Sequence, residues 1–110
     1  MMRLVLSPAA AALLRALLDR AKVRRDRILL SDFTSVDWQS LTLVGERHVI
    51  CLRVPGPDAQ SVVQALTDDL GEAEFSIPGQ IVADIALASP PETAADGSIS
   101  IRMEALTIAD

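Results

Sequence analysis

Apolar positions fall into four blocks along the chain, and their spacing changes from block to block. In the first, Ala10, Leu13, Leu14, Leu17, Leu18 and Ala21 recur at helical period and form one stripe. Ser7 can accept a hydrogen bond from a free backbone N–H as N-cap, and Pro8 suits the first helical position, which needs no N–H. Arg20, Lys22, Arg24, Arg25 and Arg27 follow at the C-terminal end, where positive charge complements the helix dipole. Residues 1–18 also carry a faint signal-peptide pattern. Arg15 interrupts its apolar run, no A-x-A site precedes Asp19-Arg20, and the run is too short to span a bilayer. A buried amphipathic helix is the better reading.

From residue 28 the period changes to that of a strand. Ile28-Leu29-Leu30 and Phe33 fit either a short strand or a lead-in segment, whereas residues 36–44 and 47–54 alternate clearly. Gly45-Glu46 lies between them, and Gly at the first central position is what a two-residue type II′ turn requires. Counting outward from that turn sets Leu43 opposite His48, Leu41 opposite Ile50, Gln39 opposite Leu52 and Asp37 opposite Val54, a mostly apolar face expected to meet the core. The other face sets Thr42 opposite Val49, Ser40 opposite Cys51 and Trp38 opposite Arg53. An apolar centre of Trp38, Val49 and Cys51 with Arg47 and Arg53 at its rim has the composition of a partner-binding face. Loops that cover this face within the monomer are the competing explanation.

The third block is a second, shorter helix. Gly56-Pro57-Asp58 opens it, Ala59, Val62, Val63, Leu66 and Leu70 form its stripe, and Gly71 is a natural left-handed terminator. Asp68 and Asp69 sit in the last turn, where the dipole disfavours them, so a basic neighbour such as the Arg cluster is expected beside them. The last block alternates again: Ile81, Ala83, Ile85 and Leu87, then Ile99, Ile101 and Met103. Pairing Leu87 with Ile99 would oppose Asp84 to Arg102 on the outer face. Leu106 and Ile108 change side, which predicts a bulge near Glu104-Ala105. The polar, Pro-rich link over residues 89–97 reads as an exposed, mobile loop.

Together these blocks predict an α+β fold. The order is helix–hairpin–helix–hairpin (αββαββ), with a mainly antiparallel sheet of four to five strands and two helices packed on one face. The length of 110 residues fits a single compact domain. No residue-level repeat is visible.

Composition narrows the function more than it names it. A net charge of −5 argues against nucleic acid as a partner. The single cysteine excludes an internal disulfide and suits a reducing compartment, which places the protein in the cytoplasm. Nine Arg against one Lys, with abundant Ala, is the usage of a GC-rich bacterial genome. Charge is also divided unevenly: residues 1–55 sum to +4 and residues 56–110 to −9. Halves lying side by side would cancel within the monomer; halves pointing apart would favour pairing with a copy or a basic partner.

Candidate chemistry is thin. His48 and Cys51, three apart on a strand, point to opposite faces and form no dyad. The best metal set, His48 with Glu46 and Asp37, fails because the predicted register sends Asp37 to the far end of the hairpin. No phosphate loop, nucleophile elbow or H-E-x-x-H is present. His48 is read instead as a sheet-end residue with a satisfied ring. The resulting expectation is a non-enzymatic interaction module, a homodimer through Trp38, Val49, Cys51, Arg53 and Arg47, with no cofactor, metal or membrane. The alternative is an anionic-ligand binder or enzyme using Arg47, Arg53 or the cluster Arg24, Arg25 and Arg27.

Overall fold

The computed structural model describes residues 5–110, apart from the side chain of Arg25. The elements are α1 (Pro8–Ala21), β1 (Leu29–Gln39), β2 (Val44–Val54), α2 (Ala59–Thr67), β3 (Gln80–Leu87), β4 (Glu92–Thr93) and β5 (Ile99–Ala109). The strands form one antiparallel sheet in the order β1-β2-β5-β3, with the short β4 also paired to β5. The α+β class and element order read from the apolar pattern are therefore those of the folded chain, with β4 added in the link before β5.

Both helices bury their stripes against one sheet face. Leu13 and Leu17 of α1 and Val62 and Leu66 of α2 share a core with Ile50 and Leu52 of β2 and Ile101 and Met103 of β5. Ser7 caps α1 as expected: its Oγ accepts from the Ala10 N–H at 3.1 Å and donates to Glu46 Oε1 at 3.0 Å. One hydroxyl thus ends a helix and ties it to β2. Ser7→Ala should lower stability by about 1 kcal/mol. For a domain of this size that lowers Tm by about 4–8 °C, which a thermal melt would read.

The first hairpin departs from the predicted register. β1 ends at Gln39, opposite Val44, and the turn is a four-residue loop at residues 40–43. There the Ser40 N–H donates to the Leu43 carbonyl at 2.9 Å, and the Leu43 N–H donates to Ser40 Oγ at 3.1 Å. Gly45 is not a turn residue. It sits within β2 opposite Trp38 on one side and Ile108 on the other. A Cβ there would overlap the Thr107 carbonyl oxygen and come within 3.1 Å of Ile108 Cα, so glycine is required by the close approach of β5. Since the correction displaces β1 by an even number of residues, its odd positions from Phe33 onward still face the core; before them an irregularity at Ser31 reverses the parity, so Leu30 packs inward and Leu29 lies outside opposite Arg53. Val36, Trp38 and Val49 stay on the outer side, but every predicted cross-strand pair changes.

Three further corrections follow the same logic. Leu87 pairs with Met103 and Asp84 with Leu106, so the Asp84–Arg102 ion pair does not form. The bulge lies in β3, between Val82 and Asp84, and not near Glu104. β5 keeps its alternation because Ala105 and Thr107 continue the buried row, and the β3 bulge turns Val82 inward and leaves Ile81 outside. α2 ends at Thr67, and Leu70 and Gly71 belong to a separate 3-10 turn over Leu70–Glu72. The left-handed residue after α2 is Asp69, at φ 50°, not Gly71.

Candidate interaction face

With α1 and α2 on the inner face, the outer face of the sheet is open across its upper rows. Reading from β1 through β2 and β5 to β3, the first row is Trp38, Gly45, Ile108 and Ile81. Next come Val36, Arg47, Leu106 and Asp84, and then Thr34, Val49, Glu104 and Ala86. Val36 is 61% exposed and Ile81 51%, while Trp38, Val49, Leu106 and Ile108 are half-buried by their neighbours. A shallow hollow of about 220 Å³ opens between Thr34, Val36, Arg47, Val49 and Glu104. Apolar side chains fill the first row, Arg47 and Asp84 enter in the second beside Val36 and Leu106, and Glu104 enters in the third.

The five residues expected at an interface are thus divided between two ends of this face. Trp38, Arg47 and Val49 lie with the apolar rows, whereas Cys51 and Arg53 lie farther down β2, opposite Asp32 and Leu29. Trp38 does not meet Arg53. Cys51 is half-buried beside a cleft of about 400 Å³ that Ser89 and Pro90 also line. Arg53 donates through Nε to Ser98 Oγ at 3.1 Å and through Nη2 to Asp96 at 2.7 Å, which fastens the end of the 89–97 link to the sheet. Hydrogen bonds from the Ser98 hydroxyl and N–H, aided by Arg53, hold the Asp96 carboxyl below its ordinary range. That link is exposed throughout and carries β4.

The basic cluster after α1 is partly occupied within the chain. Arg24 pairs with Asp26 at 2.8 Å, and Arg27 grips both carboxylate oxygens of Asp58 at the start of α2. That hydrogen-bonded pair holds the Asp58 carboxyl below its ordinary range and the Arg27 guanidinium above its own. Arg20, the last-turn cation of α1, donates to the Asp68 carbonyl and lies 5.8 Å from the Phe75 ring centroid. The basic neighbour expected for Asp68 is therefore Arg20, and it meets the main chain at the end of α2. Contacts Arg27–Asp58 and Arg53–Asp96 join the positive and negative halves of the sequence, so two pairs of their opposite charges meet inside the monomer.

No family model, curated protein or solved structure matches this chain. Its chemistry rests on its own geometry.

His48 is not at a sheet end. It lies mid-strand in β2, on the inner face, and is 1% exposed. Its Nδ1 is 2.7 Å from Ser35 Oγ of β1, its Nε2 is 2.8 Å from Thr107 Oγ1 of β5, and Phe33 packs edge-on at 5.8 Å. The ring is satisfied on both nitrogens, and burial pushes its pKa down. The true register puts Asp37 opposite Glu46, one row from His48, closer than the sequence reading placed it. Even so, both ring nitrogens are engaged, and among the described residues no three His, Cys, Asp or Glu side chains gather as a ligand set. No helix among these residues is long and apolar enough to cross a membrane.

Sequence reasoning missed Val36, Ile81, Leu106 and Ile108 as members of the outer apolar rows. The alternation of β5 could have indicated Leu106 and Ile108. Ile81 could not be placed without the β3 bulge.

Proposed function

We propose that this chain is a non-enzymatic interaction module that self-associates, as a homodimer, through the upper outer face of its sheet. The observation that carries the reading is an apolar sheet face that, among the described residues, no helix or loop of the chain covers. Contiguous apolar surface of this kind is the signature of a protein–protein contact. The charges around it favour a second copy. Among the described residues Arg47, Arg102, Asp32, Asp84 and Glu104 make no ion pair within the chain, so both signs stand unpaired on one face. A surface with balanced, mixed charge is self-complementary in a way that a strongly charged partner would not exploit. The anion-binding reading is less well supported, since Arg24, Arg27 and Arg53 already hold carboxylates. A cytoplasmic site remains our reading, on the single cysteine.

Native mass spectrometry and sedimentation at low and moderate ionic strength test this directly. The expected result is a dimer without added mass. Val36→Glu or Trp38→Ala should weaken it by about tenfold or more while the thermal melt of the chain survives. Arg53→Glu, which breaks only the clamp on the link, should leave the dimer intact. A monomer up to high micromolar concentration would overturn the proposal, as would a dimer indifferent to both face substitutions.

A further inference from the structure

We infer that the two copies stack outer face to outer face about a two-fold axis running between β2 and β5, so that Arg47 of each meets Glu104 and Asp84 of the other. This rests on the self-association just proposed and adds its geometry. The cross-strand rows fix where each side chain stands, with strands about 4.8 Å apart and same-face neighbours about 6.8 Å apart along a strand. Rotation about that axis lays β2 over the partner's β5 and β1 over the partner's β3, row on row. Arg47 then stands over the partner's Leu106, one strand from the partner's Asp84 and one row from the partner's Glu104. Trp38 stands over the partner's Ile81. Stacked sheets lie about 10 Å apart, a gap that a guanidinium on its three-carbon stem can cross to an acidic side chain.

Other two-fold axes in the same plane fare worse. An axis along β2 opposes Arg47 to itself, and one along β5 opposes Glu104 to itself and Arg102 to itself. An axis across the strands that still joins Arg47 to Glu104 lays Trp38 over Asp32 and Ile108 over Arg102, setting apolar side chains against charges. Only the axis between β2 and β5 joins the unpaired charges and keeps the apolar rows together.

Mixing charge-reversed variants tests it. Arg47→Glu, Glu104→Arg and Asp84→Arg should each weaken the homodimer about 30-fold, because every change acts at two symmetric contacts. Mixing Arg47→Glu with Glu104→Arg should restore a heterodimer within about threefold of wild type, since positions 47 and 104 are again opposite in sign at both symmetric contacts, one reversed and one native, and only the substituted position 47 against the partner's Asp84 stays like-charged. Arg47→Glu mixed with Asp84→Arg should also recover most of the affinity. Arg47 and Glu104 are diagonal neighbours in one sheet, so each variant is first checked for an unaltered thermal melt; rescue by mixing cannot come from the stability of either chain. If wild type dimerises and neither mixture recovers, the charge pairing is wrong although self-association stands. If only the Glu104→Arg mixture recovers, the axis is wrong. A monomeric wild type removes the underlying reading itself.

Discussion

Gly45→Val should cost about 4 kcal/mol and leave little native sheet at mildly elevated temperature. The cause is backbone against backbone. A Cβ at residue 45 overlaps the Thr107 carbonyl oxygen and lies 3.0 Å from its carbon, and neither atom can rotate away as a side-chain tip would. Relief requires β2 and β5 to separate where Gly45 pairs with Ile108, at the end of the ladder nearest the hairpin turn. Urea unfolding measures the loss, and Gly45→Ala should show most of it, because the first carbon already collides. Gly45→Asn separates this explanation from that of a turn. A left-handed turn position accepts Asn with little loss, whereas the strand position at Thr107 cannot. A Gly45→Ala protein within about 0.5 kcal/mol of wild type would show that the strands do not approach so closely.

His48→Ala is the second large effect, at about 3 kcal/mol. Removing the ring leaves a void beside Phe33 and strands two hydroxyls, those of Ser35 and Thr107, where water does not reach freely. The pH dependence follows from the direction of the His48 shift. Burial lowers the folded-state pKa below the value near 6.5 of an unfolded histidine, with Glu46 pulling weakly the other way. As pH falls below about 6.5, the unfolded chain takes up a proton that the folded chain refuses, so stability declines. The decline stops once the folded ring is itself protonated. His48→Gln keeps one polar partner for the hydroxyls, and its stability should be nearly flat between pH 7 and 5. Denaturant melts at several pH values would show this, and a wild-type curve as flat as the variant's would contradict it.

The elements and their buried faces were legible in the sequence because they depend on local period. His48, Ile50, Leu52 and Val54 alternate inward as the pattern indicates, and Ser7-Pro8 opens α1. Register was not legible, for a reason that Gly45 makes concrete. A glycine between two alternating runs reads as a turn, yet here it answers the carbonyl of Thr107, far away in the chain. The same blindness moved Asp84 away from Arg102 and placed the bulge in the wrong strand, since a bulge is set by the partner strand's pairing. For the candidate face, Trp38, Arg47 and Val49 were found from composition and parity. Grouping them with Arg53 required a register that the folded sheet does not have.

The place of β5 in the sheet bears on how the protein can be made. β5 follows every other element in the sequence, yet it lies between β2 and β3 and also holds β4. While the chain is being synthesised, α1 and the first hairpin emerge with the inner edge of β2 unsatisfied, and β3 has no strand to join. Native pairing must wait for Ile99–Ala109, so the nascent chain spends that interval with open strand edges, the state in which chaperones bind and aggregation begins.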